Sequence, residues 1–256
     1  MKYGWLVVLL IKAMLVQAQI RITLIGTVHE PTDKIHSAVL YQYLQRIQPH
    51  VILLELDTSL MNDQGQWLTS LSTLETEAVQ KYQKNYAVVL RPYDIKNRNA
   101  YYKSNNTFQK EAAFFNSLDS AYRTSSLDSC SRAVFEQYLR LNQLVQQLHK
   151  ETIEVINTTT ARGLISARQK MLYQDLLSVA QRTPSLQQHA AFWKSNGDFW
   201  KLRNETMAEH ILQYAREYKD REVVVLTGYY HLYYLQALLE QRAAGNNSII
   251  KVIADL

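Results

Sequence analysis

The chain of 256 residues has a single cysteine, Cys130, so no intramolecular disulfide can staple the fold and stability must come from a buried core. Glycine and proline are scarce, at seven and four. No Pro/Gly/Ser-rich stretch separates autonomous domains. Dense Lys/Arg blocks and basic stripes are missing, which argues against a nucleic-acid partner. With 47% hydrophobic and 20% charged residues, the composition is that of a globular protein and excludes disorder. Seventeen tyrosines are many for this length and supply both packing area and hydroxyls.

The N-terminus reads as an export signal. Lys2 precedes an apolar stretch from Trp5 to Val16, broken by Lys12, and Val16-Gln17-Ala18 offers a cleavage site. The segment is short for a membrane span, so the expectation is a cleaved leader over residues 1–18, an exported domain over 19–256, and membrane contact only through an uncleaved leader. Cleavage would remove Lys2 and Lys12 and no acid, lowering the net charge from +5 to +3. Sequons starting at Asn105, Asn157, Asn204 and Asn246 matter only in a eukaryotic secretory route.

Five runs read as strands: Ile20–Ile25, Val51–Leu56, Tyr86–Leu90, Glu222–Leu226 and Ile249–Ile253. Continuous apolar runs such as Val-Ile-Leu-Leu indicate strands buried on both faces, as in parallel sheets covered by helices. Helices are expected over Asp33–Ile47 and residues 66–84, then at Arg203–Tyr218 and Leu232–Gln241. The stretch 105–200 holds no strand pattern and carries helical stripes, among them Val134, Tyr138, Leu141, Val145 and Leu148. The expected fold is therefore α/β: a central, mostly parallel β-sheet built from both ends of the chain, covered by helices, with an all-helical insertion of three or four helices between strands three and four.

In open α/β sheets, ligands bind beyond the carboxyl ends of the strands. Here those ends carry ionisable groups: Gly26-Thr27-Val28-His29-Glu30, Glu55-Leu56-Asp57, Arg91-Pro92-Tyr93-Asp94 and Gly228-Tyr229-Tyr230-His231. Two Gly-x-x-His tetrads thus stand at strand ends some 200 residues apart. About 0.2 such matches are expected by chance from seven Gly and seven His, so one match means little and two at matched positions mean more. His29, His231 and Glu55 form a plausible ligand set for Zn, Mn or Co with open positions for water, or a metal-free acid–base trio. Glu30 and Asp57 are candidate proton shuttles, and Arg91 either meets a substrate carboxylate or pairs with Asp94. Tyr229, Tyr230, Tyr233 and Tyr234 could stack on a ligand or even ligate haem, although such tyrosines more often pack a helix onto a sheet. His36, His50, His149, His189 and His210 have no such context and read as surface or structural.

The motif order Gly-Thr-x-His, Glu-Leu-Asp, a late Arg203-Asn204-Glu205-Thr206-Met207 helix and Gly-x-x-His resembles the TraB/GumN/Tiki superfamily, at both ends of the chain but not in its middle. The resemblance implies a central sheet with covering helices in an exported protein. It also implies a metal-dependent hydrolase acting on peptide bonds, with His29, His231 and Glu55 as metal ligands and Arg203 and Asn204 binding substrate or holding the carboxylate. Related families bind haem or peptides, or hydrolyse esters without metal. Tyr229-Tyr230 stands where small or apolar residues are usual in the second tetrad, and the last helix lacks the glycine commonly found shortly after that His.

Overall fold

The computed structural model describes residues 20–62, 66–68, 71–245 and 250–254. The expected leader over residues 1–18 and the sequon at Asn246 lie outside the described residues. No helix among the described residues is long and apolar enough to cross a membrane.

Five strands, β1 (Ile20–Thr27), β2 (Val51–Asp57), β3 (Val89–Asp94), β4 (Glu222–Gly228) and β5 (Ile250–Ile253), form one sheet in the order β3-β2-β4-β1-β5. Every pairing is parallel. The expected α/β sheet is therefore present, with the late strand β4 inserted between β1 and β2. Because side chains alternate along a strand, Ile22, Leu24, Val51, Leu53, Val223 and Val225 fill the core on one face. Ile25, Ile52, Leu54, Val224 and Leu226 fill the other.

The first face packs on α9 (Gln187–Glu217) and α10 (Tyr229–Gly245), through Met207, Ile211, Leu232 and Leu235. The second face is covered by α1 (Ser37–Ile47) and α2 (Leu74–Gln83), through Leu40, Leu44, Ala78 and Val79. A capping box between Thr73 and Thr76 starts α2.

The third strand lies further along than expected, at Val89–Asp94 instead of Tyr86–Leu90. Arg91 and Pro92 read as a strand end, but β3 is the sheet edge, where a proline costs no ladder bond on the open side. Arg91 consequently sits in mid-strand. Its guanidinium bonds the Leu90 carbonyl and lies over the Tyr218 ring, so its expected pairing with Asp94 is not formed.

The helical insertion holds seven helices rather than three or four, and the last of them reaches the sheet. They are α3 (Arg98–Ser104), α4 (Thr107–Arg123), α5 (Ser129–Leu148), α6 (Ile153–Ile156), α7 (Thr159–Lys170), α8 (Leu176–Arg182) and α9. The expected separate helix at Arg203–Tyr218 is the second half of the 31-residue α9, which no proline interrupts. Between α7 and α8 the chain widens into a π-helical turn, Met171–Asp175. Its Leu172 carbonyl accepts the indole N–H of buried Trp193, which holds the insertion against α9. Phe114, Leu118, Phe135, Leu176 and Val179 complete this third core.

Candidate active site

Parallel register brings the two tetrads side by side. Gly26 lies opposite Thr227 and Thr27 opposite Gly228, while Leu54 of β2 lies opposite Leu226. Glu55, the next residue of β2, therefore meets the start of α10. Its Oε2 accepts from the Gly228 backbone N–H at 2.6 Å and from the Thr227 hydroxyl at 3.0 Å. A carboxylate at a helix N-terminus uses donors that the helix leaves unpaired and is favoured by the helix dipole.

Arg203, on α9, organises the buried half of the site. Its Nη2 bonds Glu55 Oε1 at 2.5 Å and Asp94 Oδ2 at 2.7 Å, and its Nε bonds Asp94 Oδ1 at 2.8 Å. Its Nη1 stands 3.1 Å from His231 Nε2. The next residue, Asn204, donates its amide to the Trp200 carbonyl, so its Oδ1 is the acceptor 2.8 Å from His231 Nδ1. That assignment makes Nδ1 the protonated nitrogen and leaves the Nε2 lone pair to Arg203. Trp200 stacks on the same imidazole with ring centroids 4.2 Å apart. Burial pushes the pKa of His231 down to about 3 and Arg203 acts in the same sense, with Glu55 opposing. His231 is thus neutral. Burial works against ionisation of Glu55 too, but the cations Arg203 and His29 hold its carboxyl well below the usual carboxylate range.

His29 is the exposed half. Its side chain keeps 48% of its accessible surface, and its backbone takes a left-handed φ of 59°. Such a conformation in a non-glycine residue is held only by its surroundings. Its Nδ1 lies 3.0 Å from Glu75 Oε1, and its Nε2 lies 3.7 Å from Glu55 Oε1. Glu75 also accepts the Thr27 hydroxyl. Partial burial lowers the pKa of His29, but the two carboxylates outweigh it and raise the value to about 10. A Cβ on Gly228 would come within 2.6 Å of His29 Nε2, so only glycine admits the imidazole this close to Glu55.

Five of the expected site residues, His29, Glu55, Arg203, Asn204 and His231, therefore converge. Two do not. Glu30 is exposed, and among the described residues only its backbone is bonded, to the Val28 carbonyl. Asp57 is turned away by an irregularity between β2 and β3 and caps a short turn, accepting from the N–H and hydroxyl of Ser59. Neither is placed to shuttle a proton at Glu55.

Glu75 and Arg98 are the residues that the sequence concealed. A glutamate in the first turn of a helix reads as a dipole partner, and Arg98 belongs to no motif. Arg98 Nη1 bonds Asp94 at 2.5 Å and lies 4.0 Å from Glu55, and its Nε bonds Asn99. Its Nη2 has no protein acceptor among the described residues.

His29, Glu55, Arg98, Arg203 and His231 line a cavity of about 1090 Å³ between the strand ends and the helical insertion. Tyr102, Phe115, Tyr173, Trp193 and Trp200 form much of its wall, and Tyr229, Tyr230 and His149 also face it. His149 is thus a cavity residue rather than a surface one. Tyr229 packs in the sheet core, and its ring lies 4.5 Å from that of Tyr230. Of the other histidines, His189 bonds Ser117, His210 the Tyr93 carbonyl, and His50 the Glu222 N–H.

Both imidazole Nε2 atoms lie within 4 Å of Glu55 Oε1, at 3.7 and 3.6 Å. The donors are nevertheless not free for a cation. Arg203 already bonds Glu55 Oε1 and the His231 lone pair, and a guanidinium there repels a divalent ion. Among the described residues no group of three His, Cys, Asp or Glu side chains has metal-holding geometry. As arranged, the site does not fit a metal.

No protein-family model and no curated protein matches the chain. Among solved structures, an erythromycin esterase mutant in its open conformation is similar at 13% identity with a TM-score of 0.33. The match covers 82% of this chain and 60% of the esterase, so the chain spans well under two thirds of that protein. At that level of likeness, the chemistry rests on the side chains alone.

Proposed function

We propose that the protein is an acyl hydrolase in which His29 carries the proton and no metal takes part. The observation that supports this reading is the pairing of His29 Nδ1 with Glu75 while its Nε2 stands at the cavity beside Glu55. Base, orienting carboxylate and a pocket for the substrate are the minimum for general acid–base hydrolysis.

In the neutral form, His29 Nε2 takes a proton from a water molecule as its oxygen attacks the substrate carbonyl carbon. Arg98 Nη2 receives the oxygen that becomes negative. The imidazolium, stabilised by Glu75 and Glu55, then returns the proton to the leaving oxygen or nitrogen as its bond to carbon breaks. Arg203 is a positioning residue here, since its contacts with Glu55, Asp94 and His231 hold the buried side rigid.

The reading that follows from the family resemblance, a divalent ion on His29, Glu55 and His231 acting on peptide bonds, has one observation in its favour, the approach of both imidazoles to one Glu55 oxygen. The test is hydrolysis of a panel of aryl esters and peptide amides by the full chain, before and after chelation. Activity is expected to survive EDTA and to fall at least about 100-fold in His29→Asn, the usual scale for a lost general base. Loss of activity on chelation, restored by Mn, Co or Zn, would sink the metal-free reading in favour of the metal-dependent one.

A further inference from the structure

The cavity wall carries two partly buried charges that the proposed chemistry does not use. Arg168, on α7, lines it from the side of Tyr230, whose ring lies 5.6 Å from the guanidinium carbon. All of its hydrogen-bond partners are neutral: Asn142 through Nε and Nη2, the Tyr138 hydroxyl through Nη2 and Gln169 through Nη1. These bonds fix the guanidinium and leave one Nη1 hydrogen and the full charge uncompensated. Glu111, on α4, lines the same cavity, and its bonded partner is the Asn196 amide at 2.6 Å.

Neither residue makes an ion pair among the described residues. Lys103, a further unpaired cation on the wall, is exposed and therefore solvated. Arg168 and Glu111 are not: both are partly buried. They face the same region, since Arg168 lowers and Glu111 raises the pKa of Tyr138 and of Tyr173.

Partly desolvated charges of opposite sign, each held by neutral groups and kept apart, are costly in an empty pocket and are compensated by a ligand with the complementary pair. An anion alone would gain at Arg168 and lose at Glu111, and a cation the reverse. We infer that the cavity selects a zwitterionic, aromatic or apolar acyl substrate, its carboxylate on Arg168 and its ammonium on Glu111, with its body against Tyr173 and Trp200. This substrate class rests on the hydrolase reading, whereas the binding mode does not.

The test is calorimetric titration of the full chain with phenylalanyl-phenylalanine and its N-acetyl, C-amide and doubly blocked forms. The free zwitterion is expected to bind best, with each blocked end costing about tenfold, the value of one charged contact. Arg168→Gln should erase the preference for a free carboxylate and keep that for a free amine, and Glu111→Gln should do the converse. His29→Asn should bind all four as the wild type does, so loss of hydrolysis and loss of recognition are read separately. Equal affinity of the wild type for all four ligands overturns the inference, as does a uniform loss in both variants. The wild-type ranking decides the matter even if a variant fails to fold.

Discussion

Gly228 has no room for a side chain. A methyl group there would stand 2.6 Å from His29 Nε2 and 3.4 Å from Glu55 Oε2. Gly228→Ala must displace the His29 imidazole toward solvent on its exposed side, so the change falls on the site rather than on the core. The expected result is a folded protein that has lost most activity, with the His29 pKa moved down from about 10 toward 6.5 as its carboxylates recede. Proton NMR titration of the imidazole reads the second effect, and an unchanged titration would refute the packing account. The wild-type value also sets the activity profile. If neutral His29 is the base, kcat/KM rises with pH up to about 10. A rate that falls from neutrality upward would instead make it the general acid.

At the scale of elements, the strand ends are held in place by a side chain with no apparent chemistry. Asn157, completely buried after α6, accepts from the Gly26 N–H at 2.7 Å and donates to the Gly26 and Ile153 carbonyls at 3.0 and 2.7 Å. It thereby fixes the turn from which His29 projects. Asn157→Ala leaves several buried polar groups unpaired, at an expected cost of about 3 kcal/mol. Urea denaturation should show a lower midpoint at unchanged slope. The same burial removes Asn157 from the possible glycosylation sites, and it removes Asn204 as well. Strand positions were legible because β2 and β4 contain continuous apolar runs and β1 is rich in β-branched and apolar residues. The β3 boundary was not, because proline signals a break in sequence and is tolerated at a sheet edge. The single length of α9 was equally hidden, since nothing in residues 187–217 marks where an insertion helix becomes a sheet-covering one.

For the whole molecule, the buried ionic centre joins the two ends of the chain to the insertion and makes stability depend on pH. His231 has a pKa of about 3 in the fold against 6.5 in the open chain. Between those values the unfolded chain binds the extra proton, so this contribution is complete above pH 6.5 and is lost as pH falls toward 3, by at most about 1.4 kcal/mol per pH unit. His29 acts in the opposite sense. Its raised pKa contributes stability that is complete below 6.5 and lost as pH rises through about 10, weakened by the solvent that reaches its exposed side. A thermal melt series should therefore show His231→Gln flattening the acid limb and His29→Gln the alkaline one. Parallel limbs in wild type and both variants would contradict these assignments.

Sequence by itself determined the local facts: apolar runs that must be strands buried on two faces, ionisable residues gathered at their ends, and a glycine three residues before each of two histidines. Those follow from periodicity and backbone sterics, which act over a few residues. Tertiary structure decided the rest. It placed β4 between β1 and β2, which set the tetrads in register with Glu55 between them. It delivered Glu75 to His29, and Arg98 and Arg203 to Asp94, from separate elements. It also bonded a guanidinium to both His231 and Glu55, which turned an apparent ligand set into an ion-paired support. Protonation states follow from burial and from charges brought together across some 200 residues, and neither is a property of a motif.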